Sequence, residues 1–354
     1  EAVASDDPLA ARGAALGAGL VAVLALLVKQ NMADVVVFAA VCWIVAWRTR
    51  RISGRTLADL VALAAVGAGV GYAVVMLWAM AHGTSPLGVY EATYPFRIRA
   101  GRVMAESTST IANVRLSRLA LSFLISAAPI VLVAFVALLV RPLRRSPTAW
   151  ALFATGAYVT VSVLAGGSYW LHYLVQAVPV TALAAGGLAA TVTGSRGRAW
   201  WARVPVAAVV VSAVAATAVS AANPSPSPGA SVARAMQGSV RPGDTMLSAF
   251  GDADILYTTD MASPYPYLWS LPSRTLDPEM GLLRSVLAGP AAPTWVVVRG
   301  RTTMGRLDEH GIADQIRSGY TPLGTVCGRT VYLRHGVTRP PLASGGSCGG
   351  TVLP

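Results

Sequence analysis

The chain has 354 residues, of which 54% are hydrophobic and only 12% charged, with a mean hydropathy of +0.56. Soluble domains carry about a quarter charged residues, so this composition excludes an ordinary globular protein and points to membrane spans. The net charge of +12 does not indicate nucleic acid, because no basic stripe interleaves with aromatic residues.

Seven apolar runs follow one another: 13–28, 33–47, 58–81, 119–140, 148–166, 171–193 and 204–222. The first two are short; at 1.5 Å per residue the first reaches about 24 Å against a hydrocarbon core of about 30 Å. It ends in "KQNMAD". Lys29 is the chain's single lysine; the other basic residues are arginine. Two readings fit Lys29. It snorkels to the headgroups, or it is a cation held in a cleft for an anionic group such as a lipid phosphate.

"RTRR" (48–51) joins runs two and three. After run three comes the polar connection 82–118, with Arg97, Arg99, Arg102, Arg115 and Arg118 beside Glu91 and Glu106. An interfacial helix with its arginines at lipid headgroups explains it. A bidentate phosphate clamp by Arg97 or Arg102 explains it too. "RPLRR" (141–145) then joins runs four and five, and "GSRGRAWWAR" (194–203) joins six and seven. Arginine-rich loops at every second connection mark the cytoplasmic side. The remaining connections, 29–34, 82–118 and 166–170, then face outward with everything after residue 222.

"GGSYWLHYLVQAVPV" (166–180) brings Tyr169, Trp170, His172 and Tyr173 to the outer boundary. An aromatic belt accounts for the tyrosines and the tryptophan. His172 and Gln176 fit a cavity-facing role better, because such groups are costly against lipid. Pro179 predicts a kink.

"NPSPSPGAS" (223–231) reads as a linker. Beyond it, 232–336 has the composition of a soluble α/β domain. Strands are expected at "TMLSAFG" (245–251) and "TWVVVRG" (294–300), helices at 230–240 and 306–319, and a hairpin turning at "CGR" within 320–336. Asp252, Asp254 and Asp260 lie among aromatics, a composition that fits a sugar site or a packed loop. The Gly/Pro-rich 337–354 reads as a loose tail. Cys42 lies in an apolar run, whereas Cys327 and Cys348 make a plausible disulfide if their region is outside the cell. No metal-ligand cluster or nucleotide fingerprint is present, so no cofactor is expected.

The stretch "ARGAALGAGLVAVLALLVKQNMADVVVFAAVCW" resembles a span pair of the GT-C glycosyltransferases, integral-membrane enzymes that include protein O-mannosyltransferases and lipid A aminoarabinose transferases. "SYWLHYLVQAVPVTALAAGG" is similar to their late span, and "TMLSAFGDADILYTTDMASPYPYLW" to their extracytoplasmic segment. The arginine-for-lysine bias points to a high-GC source of actinobacterial type. The resemblance implies a multi-pass plasma-membrane enzyme that moves a sugar from a polyprenyl-phosphate donor to an envelope glycan, lipid or protein acceptor outside the cytoplasm. It implies Lys29 as the donor-phosphate contact, with His172 and Tyr173 in the late-span motif. Tyr169 and Gln176 are further sugar or acceptor candidates; Arg97 and Arg102 are phosphate candidates on physical grounds alone. The family's catalytic aspartate belongs to an outer loop before the lysine hairpin, and only twelve residues precede run one here. The expectation is therefore a C-terminal portion of a longer enzyme, with Asp34 and Glu91 as the nearest outer carboxylates. A flippase or transporter of lipid-linked glycans and a non-catalytic envelope-assembly protein are the competing readings.

Overall fold

The computed structural model describes residues 8–106, 110–126, 128–139, 146–192, 199–222, 227–300, 307–343 and 348. The arginine run 141–145 and residues 194–198 of the 194–203 loop lie outside these residues. The chain divides into two units: Glu1–Pro95 with Met104–Ala218, and Phe96–Val103 with Val219–Pro354.

The first unit is helical. Its elements are α1 (Pro8–Val28), α2 (Asp34–Arg48), α3 (Gly54–Ala81), α4 (Pro86–Thr93), α5 (Pro95–Glu106, shared with the second unit), α6 (Thr110–Ile125), α7 (Ala128–Leu139) and α8 (Pro147–Ala165). A 3₁₀ segment (Leu171–Ala177) leads into α9 (Val178–Val192), and α10 is Ala199–Ala222. Among the described residues four helical stretches are long and apolar enough to cross a bilayer: Leu9–Val28, Gly54–Ala81, Pro147–Ala165 and Leu171–Leu188. The α6–α7 pair makes a fifth if it counts as one span, bent by 65°.

Helix α1 is longer than its apolar run. It has 21 residues, about 31 Å, because Ala and Leu around Arg12 favour helix where hydropathy alone falls away. The expected shortness therefore holds for α2, with 15 residues, and not for α1. The serine–proline pairs at 85–86, 146–147 and 227–228 each begin a helix. Ser85, Ser146 and Ser227 accept the backbone N–H of Gly88, Ala149 and Ala230, and the following proline occupies the first turn, where no N–H is needed. The "linker" thus ends as the start of α11.

Helices α1 and α3 pack backbone to backbone. A Cβ on Gly19 would lie 1.8 Å from the Ala64 carbonyl oxygen, and one on Gly67 would lie 2.1 Å from that of Leu16. Only glycine permits this approach, as in helix pairs that associate through small residues in lipid. Ala15, Trp43 and Leu60 close the core beside it. A second core joins α6 to α9 around Leu119, Val131, Phe135, Leu152, Val159 and Ala184.

Run four is interrupted. Ser126 Oγ donates to the Phe123 carbonyl (2.7 Å) and accepts the Ala128 N–H (3.3 Å), and Pro129 fits only the first turn of a new helix. Pro179 similarly falls in the first turn of α9, with the 3₁₀ segment before it in place of a kinked α-helix.

The second unit is a three-layer α/β fold. It contains α11 (Pro228–Met236), β1 (Met246–Ala249), α12 (Asp254–Thr259), α13 (Ser270–Leu276), α14 (Gly281–Ala288), β2 (Trp295–Arg299), α15 (Ile312–Gly319), β3 (Tyr320–Val326) and β4 (Arg329–Arg334). The sheet order is β1-β2-β4-β3, with β1 and β2 parallel and β4 antiparallel to both neighbours. Leu247, Val296 and Val298 face α14 and α15. Met246, Trp295, Val297 and Val331 face α11 and α12. The alternation follows from the two-residue period of a strand. The expected hairpin turns at Cys327–Gly328, both with positive φ, and Cys327 forms the expected disulfide with Cys348. Residues 337–343 are anchored: Arg339 pairs with Asp244, Ser239 donates to the Pro341 carbonyl, and the Ala343 N–H donates to the Ala235 carbonyl.

Candidate functional site

The tip of the α1–α2 hairpin is held by side chains from α8 and the 3₁₀ segment. The Asn31 carbonyl accepts from Tyr158 OH (2.9 Å), Gln176 Nε2 (3.1 Å) and Ser162 Oγ (3.4 Å). Asn31 Nδ2 donates to Ser162 Oγ at 2.7 Å, and Gln176 Nε2 also reaches Asp34 Oδ1 at 3.3 Å. Gln176 is buried. A buried amide must find partners or cost stability, so these contacts fix the tip against the bundle. One atom is left over: Asn31 Oδ1 is buried without a hydrogen-bond partner. Turning the amide over gives Oδ1 the Ser162 hydroxyl as donor but leaves Nδ2 in the orphan's place. Gln30 Nε2 donates to the Thr93 carbonyl (2.7 Å), which sets the end of α4, the helix of Glu91, beside the tip.

Above this clamp lies a rim of cations on aromatic faces. Lys29 Nζ is 3.9 Å from the centroid of the Tyr173 ring, and the Arg115 guanidinium is 3.7 Å from that of Trp170. His172 stacks on Trp170 (6.3 Å) and meets the edge of Tyr173 (4.9 Å). An aromatic face attracts a cation through its quadrupole, which fixes both side chains in place. Tyr169 turns the chain into this rim with φ +48°, a conformation that costs a bulky residue energy and recurs at functional sites.

Lys29 is thus in direct contact with Tyr173 and Asp34 with Gln176, with His172 against Tyr173. Arg97 and Arg102 are exposed on the stretch of α5 that belongs to the second unit. Three members were missed in the sequence: Tyr158, Ser162 and the Arg115–Trp170 pair. The available signal was that Tyr158 and Ser162 stand four apart inside an apolar run, on one helix face.

In the second unit the carboxylates are used structurally. Asp252 forms a two-pronged pair with Arg329 (2.9 and 3.0 Å). Asp254 accepts from Ser227 Oγ (2.6 Å). Asp260 ends α12 in a left-handed conformation. Asp277 accepts from the Leu282 and Leu283 N–H groups and from Tyr265 OH. Burial alone would raise the Asp244 carboxyl, but hydrogen bonds from Arg339, Trp295 and the Arg241 N–H outweigh it and hold it below the usual carboxylate range. Burial pushes the Tyr320 hydroxyl up to about 12. Asp252 and Asp254 therefore act in packing and capping, and the packed-loop reading accounts for these two. Among the described residues no group of His, Cys, Asp and Glu is placed to hold a metal ion.

Comparison with known protein families, curated proteins and solved structures finds no match to this chain.

Proposed function

We propose that this protein is a GT-C-type membrane glycosyltransferase acting on a polyprenyl-phosphate-linked sugar at the outer side of the plasma membrane. The observation that carries the reading is Lys29: a solitary lysine, poised over Tyr173, on a loop tip clamped by the buried Gln176 and the half-buried Tyr158 and Ser162. A rigidly placed ammonium stabilises a phosphate most when that phosphate departs with the electron pair of the broken glycosidic bond. The acceptor hydroxyl oxygen would attack the anomeric carbon and lose its proton to a carboxylate. Asp34, in contact with Gln176 in the same cluster, is the better placed candidate base, with Glu91 second. His172 and Tyr169 would contact sugar or acceptor. Seven spans, with the arginine-rich loops in the cytoplasm, put the Lys29 tip and the second unit outside. The Cys327–Cys348 disulfide supports that placement, since disulfides persist in oxidising compartments.

The test is donor use by Lys29 variants in a sugar-transfer assay. Lys29→Ala should lose at least about tenfold, since a contact to a charged group is worth roughly 1.5–3 kcal/mol, and Lys29→Arg should keep part. Unchanged donor dependence in the alanine variant would leave only the snorkelling role. The two interrupted helical stretches favour a second reading, a transporter of lipid-linked glycans, because such proteins bind substrate at discontinuous helices. Movement of the donor across liposomes without sugar transfer would decide for it.

A further inference from the structure

Gln176 is buried and bridges the hairpin tip to Asp34. Its Nε2 donates to the Asn31 carbonyl at 3.1 Å and to Asp34 Oδ1 at 3.3 Å, so both amide hydrogens are in use. A backbone carbonyl can only accept. The Asn31 carbonyl therefore decides which way the Gln176 amide faces, and the same nitrogen is presented to Asp34. The Asn31 side chain agrees from the other end, with Nδ2 3.5 Å from Gln176 Oε1. Turning the Asn31 amide over would set oxygen against oxygen there. The orphaned Asn31 Oδ1 is thus the cost of keeping Gln176 in one orientation.

The consequence falls on Asp34. Among the described residues Gln176 is the one hydrogen-bond donor to this half-buried carboxylate. When a carboxylate takes up a proton, one oxygen becomes the hydroxyl and the other the carbonyl, and the carbonyl oxygen is the better acceptor. An amide N–H already directed at Oδ1 therefore favours the proton at Oδ2.

The geometry points to Gln176 as a positioning residue that is anchored by the Asn31 carbonyl, holds Asp34 Oδ1, and directs the acceptor's proton to Oδ2. This rests on the reading of Asp34 as the base. In that step the acceptor O–H bond breaks and its proton goes to Oδ2. The acceptor oxygen bonds to the anomeric carbon, whose bond to the phosphate oxygen breaks with its electron pair leaving on the phosphate. Gln176 keeps both amide hydrogens throughout.

The full chain in nanodiscs, carrying isotope-labelled glutamine, tests this by NMR. The chain has four glutamines, and replacing Gln30, Gln237 and Gln315 in turn assigns the Gln176 signal. Lowering the pH should move that signal in one step as Asp34 is protonated, with its amide hydrogens still protected from exchange afterwards. Asp34→Asn should abolish the step and keep the protection, because its carboxamide oxygen accepts in the same place. Loss of protection at the step, or a step that survives in Asp34→Asn, would overturn the proposal. In sugar transfer Gln176→Met should lower kcat by about tenfold to a hundredfold. Donor KM should stay within about twofold, the split expected of an interaction that acts on the chemical step. Thr155→Val, which removes a buried hydroxyl bond on α8, controls for lost stability and should keep its kcat. Equal kcat losses in these two variants would reduce Gln176 to a structural residue. If Asp34 is not the base the result differs: the NMR step and the protection remain, while Asp34→Asn transfers sugar like the wild type.

Discussion

The two units treat buried charge in opposite ways. In the C-terminal unit Asp252 meets Arg329, Asp244 meets Arg339, and Asp277 meets two N–H groups and a tyrosine. Each carboxylate is consumed by a local partner, and the network fixes the ends of strands and helices. At the hairpin tip of the membrane unit, several donors crowd one backbone carbonyl, one amide oxygen stays orphaned, and two cations rest on ring faces. A fold that only needed stability would place its charges as the C-terminal unit does. A buried polar atom left without a partner, as Asn31 Oδ1 is, is a cost that recurs at functional sites.

That contrast can be broken most forcefully at Arg329. Its guanidinium and the Asp252 carboxylate are about one-tenth exposed, so Arg329→Met should cost about 3–5 kcal/mol by stranding a buried charge. Pairing it with Asp252→Leu should recover most of that loss in chemical denaturation. Little loss in the single variant would mean that the pair is not structural.

Acid provides a second, smaller test. The folded Asp244 carboxyl is held below its unfolded value, so its contribution is complete above the ordinary carboxylate range. It is lost as pH falls through the lowered folded value. Melting temperature should decline on acidification below about pH 4, and Asp244→Asn should flatten the decline. An identical profile in the variant would assign the acid sensitivity elsewhere.

The α1–α3 seam asks whether the scaffold under the tip is as tight as its geometry states. Gly67→Val should destabilise by about 1–3 kcal/mol, since its Cβ meets the backbone of Leu16. Gly13→Ala, with open space around it, should melt with the wild type. The smallest effect belongs to the rim. Tyr173→Leu removes a cation–π contact worth about 0.5–1 kcal/mol, so donor KM should rise a few-fold with melting nearly unchanged.

Much of this was legible beforehand. Short apolar runs of buried-strand type marked β1 and β2, the "CGR" turn marked the hairpin, and two cysteines marked the disulfide. The lysine between two apolar runs marked the tip. Other features depend on distance across the fold. Nothing local tells that Tyr158 and Ser162 reach the Asn31 carbonyl, more than a hundred residues away, or that Arg115 lies over Trp170. The start of α1 was misplaced because hydropathy falls before helix propensity does. The anchoring of 337–343 was hidden because Asp244, which holds Arg339, lies far upstream.

The glycine seam also has a consequence for biogenesis. Helix α1 packs mainly on α3 and only lightly on α2, so its partner surface is not yet made when α1 leaves the ribosome. At about 5–20 residues per second, α1 spends several seconds in the membrane with its Gly19 face uncovered. During that interval the nascent chain is open to capture by another protein's small-residue helix, and α3 must displace any such guest to complete the bundle.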